Sequence, residues 1–107
     1  MKLLKNETQL VCIARFSAIP GEEEQLIENL HKLIALTTQE GGCLRYELNQ
    51  SMDKREEITF IEKWYDKKTF DEHCAKPYIV EFFKGGNPEY VKSFDVSLHK
   101  ELLPSVN

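Results

Sequence analysis

The sequence has no apolar run approaching the roughly 18 residues that cross a bilayer as a helix. Its start, MKLLKNETQL, holds no hydrophobic stretch of signal-peptide length. It also has no basic cluster. Lys and Arg number 14 against 18 Asp and Glu, a formal net charge of −4, so the electrostatic footprint of a phosphate-backbone binder is missing. These absences predict a cytoplasmic protein with neither a nucleic-acid nor a membrane partner. Cysteine is scarce and odd in number. Cys12, Cys43 and Cys74 lie some thirty residues apart with no C-x-x-C pair, which excludes a disulfide framework or a paired-cysteine zinc site. Cys12 sits in an apolar run and reads as a buried thiol acting as a small hydrophobe. Glycine is limited to five residues. No G-x-G-x-x-G, P-loop or serine elbow occurs. His31, His73 and His99 fall on three different elements without ligand spacing, so no metal site is expected.

What is present is a domain-sized chain of 107 residues, read as a single domain over 1–107. Its apolar share of 41% with 10% aromatics is too high for a disordered chain. In 9–18, Leu10, Cys12, Ala14 and Phe16 alternate with Val11 and Ile13, so both faces carry apolar residues, as in a strand covered on two sides. Ile19-Pro20-Gly21 breaks this strand. Glu22, Glu23 and Glu24 then suit a helix N-terminus. Leu26, Ile27, Leu30, Leu33, Ile34 and Thr37 recur at helical spacing, predicting a helix over about 21–40 with Gly41-Gly42 as a left-handed terminus.

Two alternating segments, about 43–50 and 57–65, are joined by the polar turn QSMDKRE and predict an antiparallel hairpin. Asp66 can cap a helix over about 67–76. Pro77 is placed to open a short helix over about 77–84, closed by Gly85-Gly86. A last strand spans about 89–99, and residues 101–107 read as a mobile or partner-contacting extension. The order β-α-β-β-α-β gives an α+β, ferredoxin-like fold: a four-stranded antiparallel sheet with helices on one face. Val11, Ile13 and Ile61 would leave apolar side chains on the other face. Two such faces meeting would form a homodimer, a dimeric α+β barrel.

The chemistry-bearing residues gather near the end of the third strand. Glu62 shares its parity with Ile58, Phe60 and Trp64, and a carboxylate on that half-buried face needs either a partner, such as Arg15 or Arg45 across the sheet, or a function. His73 follows Phe70 by one helical turn and reads either as a satisfied core histidine or as a general base beside an aromatic cavity. Tyr78 and Phe82 can be packing or can contribute to the same cavity.

Three segments carry a family resemblance. Ile19-Pro20-Gly21-Glu22-Glu23 resembles the proline-glycine entry into the first helix of the antibiotic biosynthesis monooxygenase superfamily. Glu40-Gly41-Gly42-Cys43-Leu44-Arg45-Tyr46-Glu47-Leu48 resembles its glycine-cysteine-leucine strand start. Glu62-Lys63-Trp64 with Phe70-Asp71-Glu72-His73 resembles its glutamate-x-tryptophan strand end and helical histidine. The resemblance implies a small dimeric protein acting without a cofactor as a monooxygenase on a phenolic or quinol-like molecule and O2. On that reading His73 serves as base or proton shuttle, Tyr78 as a hydrogen-bond partner and Glu62 as the residue orienting a neighbour, with Trp64, Phe70 and Phe82 as the substrate-binding wall. An isomerase of a small oxidised metabolite and a non-catalytic dimeric ligand-binding protein are the alternatives. The chain departs from the family where many members carry a second histidine after serine-proline, since Lys76-Pro77-Tyr78 stands there. It departs also from the haem-degrading branch, whose helical tryptophan and ligating histidine fall at His73 and Phe83.

Overall fold

The protein's computed structural model describes residues 9–102. Its elements run β1 (Leu10–Ala18), α1 (Glu23–Thr37), β2 (Cys43–Gln50), β3 (Glu57–Trp64), α2 (Lys67–Cys74), α3 (Pro77–Phe83) and β4 (Val91–Lys100). The strands form one antiparallel sheet in the order β2-β3-β1-β4. This is the α+β, ferredoxin-like arrangement. Of the extension read at 101–107, only 101 and 102 are described; the first eight residues, read above for a signal peptide, also lie outside.

Alternation decides which face each strand buries. Along β1, Leu10, Cys12, Ala14, Phe16 and Ala18 point to the helices and are buried. On β3 the same face carries Ile58, Phe60, Glu62 and Trp64, all buried. The register sets Glu62 opposite Cys12 on one side and Tyr46 on the other. Helix α1 closes this face with Leu26, Leu30, Leu33 and Thr37, a stripe at i, i+4, i+7 and i+11. Burying side chains the size of Leu26, Leu30, Ile58 and Phe60 contributes about 1.5–3 kcal/mol each.

Helix α1 ends earlier than expected, and without a left-handed residue. Its C-cap, Thr38, is right-handed and its N–H returns to the Ile34 carbonyl. Gly41 and Gly42 are not among the positive-φ residues, which are Gly21, Lys84, Gly85 and Tyr90. Gly42 is required for a different reason. A Cβ there would lie 2.3 Å from Thr69 Cβ, so the α1–β2 connection presses backbone-close against α2. Thr69 is fixed in turn: its N–H donates to Asp66 Oδ1 at 2.9 Å, completing the capping box that starts α2. Pro77 occupies the first turn of α3 after an extended Lys76.

The opposite face of the sheet is uncovered. Val11, Ile13 and Ile61 form a half-buried apolar spine there. Ion pairs flank it: Arg15–Asp95 at 3.4 Å and Lys63–Glu101 at 3.0 Å.

Gly42→Ala is expected to lower stability by about 1–3 kcal/mol, because the added methyl meets the stem of a helix residue rather than a flexible tip. Gly41→Ala, with nothing within 4 Å, should stay within about 0.5 kcal/mol of the parent. Thermal unfolding of the two variants side by side checks this.

Candidate functional site

Between the sheet and helices α2 and α3 lies a cavity of ≈ 100 Å³. Its floor is the inward face of β1 and β3, and Phe70, Phe82 and His73 close it from above. Two lining side chains, Val96 and Cys74, are themselves exposed, so the cavity is not sealed. A wider hollow of ≈ 380 Å³ on the uncovered sheet face is of mixed polar and apolar lining. Its cation, Arg15, is already engaged by Asp95 and Ser97. The inner cavity is therefore the better candidate, because it joins apolar walls to buried titratable groups.

Glu62 is one of those groups. Sheet pairing with Arg15 or Arg45 was one reading of this carboxylate, and the structure corrects it. Arg15 and Arg45 lie opposite Thr59 and Lys63, on the other face of the sheet. Glu62 Oε1 instead accepts the Trp64 indole N–H at 2.9 Å. Burial pushes its carboxyl up to about 7, while hydrogen bonds from Trp64 and Cys12 pull the other way. Cys12, opposite it on β1, is 2% exposed; burial and the Glu62 charge push its thiol far up, so it is inert. Cys74 is pushed up to about 11, chiefly by burial.

His73 is the second group. Residues Phe70 and His73 form the buried stripe of α2, one turn apart. The imidazole lies over the Trp64 indole, with ring centroids 4.5 Å apart and a tilt of 34°. Burial lowers its pKa below the ordinary value, and the neighbouring Glu40 opposes that shift only in part. The ring is therefore neutral at neutral pH.

Its partner is Glu40, a residue that sequence reasoning quoted but assigned no role. His73 Nδ1 lies 2.9 Å from Glu40 Oε2. The Tyr78 hydroxyl donates to the same oxygen, and Thr37 Oγ1 is 3.0 Å from the Tyr78 hydroxyl. One signal was available. An acidic side chain three residues beyond the C-terminal end of α1 opposes the helix dipole and calls for local donors.

Of the six residues singled out from the sequence, the structure brings Glu62, His73, Phe70 and Phe82 to the cavity wall. Trp64 and Tyr78 stand behind it. Trp64 is fully buried between Glu62, Phe70 and His73, and Tyr78 reaches Glu40 and Thr37 instead. Among the described residues, no group of three or more His, Cys, Asp or Glu is placed to hold a metal ion. No helix among them is long and apolar enough to cross a membrane.

The Glu62 environment gives a pH-dependent stability with a definite sign. The folded state holds its proton up to about pH 7, whereas the unfolded carboxyl releases it near 4.5. The folded state thus binds more protons between those values, and stability falls as pH rises through that window. Glu62→Gln keeps an acceptor for Trp64 without the charge. Its unfolding free energy relative to the parent should rise by about 3 kcal/mol from pH 4.5 to 7 and then level off. Denaturant titrations at stepped pH measure this difference.

Comparison with known proteins agrees with the fold. The sequence profile of the family described as antibiotic biosynthesis monooxygenase matches residues 9–85. The Mycobacterium tuberculosis protein Rv0793, whose name gives it monooxygenase activity provisionally, is 33% identical over 70 residues, 65% of this chain and 68% of that protein. The crystal structure of SO0527 from Shewanella oneidensis superposes with a TM-score of 0.84 at 45% identity, over 89% of this chain and 92% of that one. PA3566 from Pseudomonas aeruginosa superposes with a TM-score of 0.80 at 29% identity, over 90% and 96%. The chain belongs to the antibiotic biosynthesis monooxygenase family.

Proposed function

We propose that the protein is a cofactor-independent monooxygenase that oxidises a small phenol or hydroquinone with O2 in the cavity between the sheet and helices α2 and α3. The observation that carries this reading is a buried histidine set in the wall of an aromatic cavity, with Nδ1 against the Glu40 carboxyl. The family and the name of its Mycobacterium tuberculosis relative support the reaction class.

The electron balance needs no external reductant. A hydroquinone with a free ring position gives a ring C–O bond, loses the C–H and two O–H hydrogens, and becomes a hydroxyquinone. The other oxygen atom leaves as water. All four electrons come from the substrate. The protein's part is to bind the ring, remove a phenolic proton and keep bulk water from the intermediate. Phe70 and Phe82 offer faces for the ring. His73 takes the proton, because a base must be neutral to accept one. Trp64, held by Glu62, supports the imidazole from behind. A cavity of ≈ 100 Å³ is comparable to one of about 150 Å³ that accommodates benzene. It therefore favours a single-ring core, with any second ring extending toward the unsealed side.

The same reading includes a homodimer in which two uncovered sheet faces close on one another. The apolar spine of Val11, Ile13 and Ile61 supports it, because such a strip gains by leaving water. The flanking ion pairs Arg15–Asp95 and Lys63–Glu101 suit a polar rim.

His73→Ala should lower enzyme-dependent oxygen consumption with menadiol or a monocyclic hydroquinone by at least about 100-fold, with the fold retained by circular dichroism. Unchanged consumption would remove His73 from the reaction. Ile61→Asp should convert a dimer to monomer in sedimentation equilibrium; a parent already monomeric at micromolar concentration would overturn the dimer.

A further inference from the structure

The geometry points to Glu40, anchored by Tyr78 and Thr37, as a positioning residue that fixes His73 in its Nδ1–H tautomer and leaves Nε2 as the basic atom facing the cavity. This rests on the reading of His73 as the base, but it concerns a different residue and has its own readout.

The direction of each hydrogen bond follows from what the atoms can do. An ionised carboxylate only accepts. With His73 Nδ1 at 2.9 Å from Glu40 Oε2, the proton on a neutral imidazole lies on Nδ1. The Tyr78 hydroxyl spends its proton on the same oxygen, so across the 3.0 Å separation Thr37 Oγ1 donates to the Tyr78 oxygen. The chain thus runs from Thr37 to Tyr78 to Glu40, with His73 arriving from the other side. Nε2 has no hydrogen-bond partner among the described residues. No buried side-chain nitrogen or oxygen among them is left unpaired. Nε2 is therefore open, and the open space against His73 is the cavity.

The arrangement serves a base in two ways. It selects the tautomer whose lone pair faces the substrate, and it places a carboxylate against the nitrogen that shares the positive charge after proton transfer. The hydroxyl of Tyr78 supplies a second donor, which keeps the Glu40 carboxylate aimed when the imidazole turns. The anchors come from separate elements. Thr37 ends α1, Glu40 lies in the α1–β2 connection, His73 is on α2 and Tyr78 on α3.

The groups facing His73 are Glu40 at its Nδ1, Tyr78 with ring centroids 6.3 Å away, Tyr46 on β2 with ring centroids 5.9 Å away, Glu62 beyond Trp64, and the Lys76 charge. Glu40 favours the imidazolium, whereas burial and Lys76 disfavour it. Removing the Glu40 charge therefore moves the His73 titration to lower pH.

The test is long-range 1H–15N NMR of the histidine ring nitrogens in the full chain, with no substrate present. The parent is expected to show a protonated Nδ1 and a non-protonated Nε2. Glu40→Gln is expected to lose that pattern and to titrate at lower pH, and Tyr78→Phe to show exchange between tautomers. With menadiol, Glu40→Gln should lose about 10- to 100-fold in kcat/KM, with the acid limb of its pH profile displaced downward. A parent ring protonated on Nε2, or a Glu40→Gln spectrum identical to the parent, overturns the proposal. An unchanged Tyr78→Phe spectrum overturns the part given to Tyr78. Because the tautomer is read without turnover, absence of menadiol oxidation would count against the proposed reaction and leave this inference standing.

Discussion

One carboxylate oxygen, Glu40 Oε2, accepts a hydrogen bond from Tyr78 and lies 2.9 Å from His73 Nδ1, and the site's geometry depends on it. It ties the α1–β2 connection to helices α2 and α3. The connection reaches that position because Gly42 allows its backbone to lie against Thr69. The backbone seat comes first and the carboxylate follows from it. A larger residue at position 42 would push Glu40 away from the imidazole as well as strain the fold. Stability and site geometry are thus coupled through a contact that carries no chemistry of its own.

Burial then sets the protonation states. Glu62 and His73 line one cavity, and desolvation drives their pKa values toward each other, the acid up to about 7 and the base down. Both are consequently biased toward neutral forms near neutral pH. Neutral groups can stand in an apolar wall without the cost of an isolated buried charge. The charge that remains, on Glu40, lies outside the cavity wall, where two donors satisfy it. The cavity can therefore be apolar and still hold a base.

Most of the fold was legible because it rests on periodicity. The inward residues of β1 and β3, the stripe of α1, the Asp66 cap and the Pro77 start all follow local rules that the sequence displays. The Gly41-Gly42 pair was misread because a glycine required by close approach looks the same in sequence as one required by a left-handed turn. His73 was found through its helical position after Phe70, and Glu62 through its polarity on a buried parity. Glu40 was not found, since its partners are 33 and 38 residues away. The same distance hid the placement of Tyr78 behind the wall rather than in it. Spacing along one element announces which side chains face inward, but which of them meet across elements is decided by packing.

The proposed oxidation requires the cavity beneath α2 and α3 to bind a phenolic ring with its hydroxyl against His73. An anaerobic crystal structure with a bound monocyclic hydroquinone measures this directly. The ring is expected between Phe70 and Phe82, with one hydroxyl oxygen at hydrogen-bonding distance from His73 Nε2. A ring bound on the uncovered sheet face, or a hydroxyl turned away from His73 within the cavity, would contradict it.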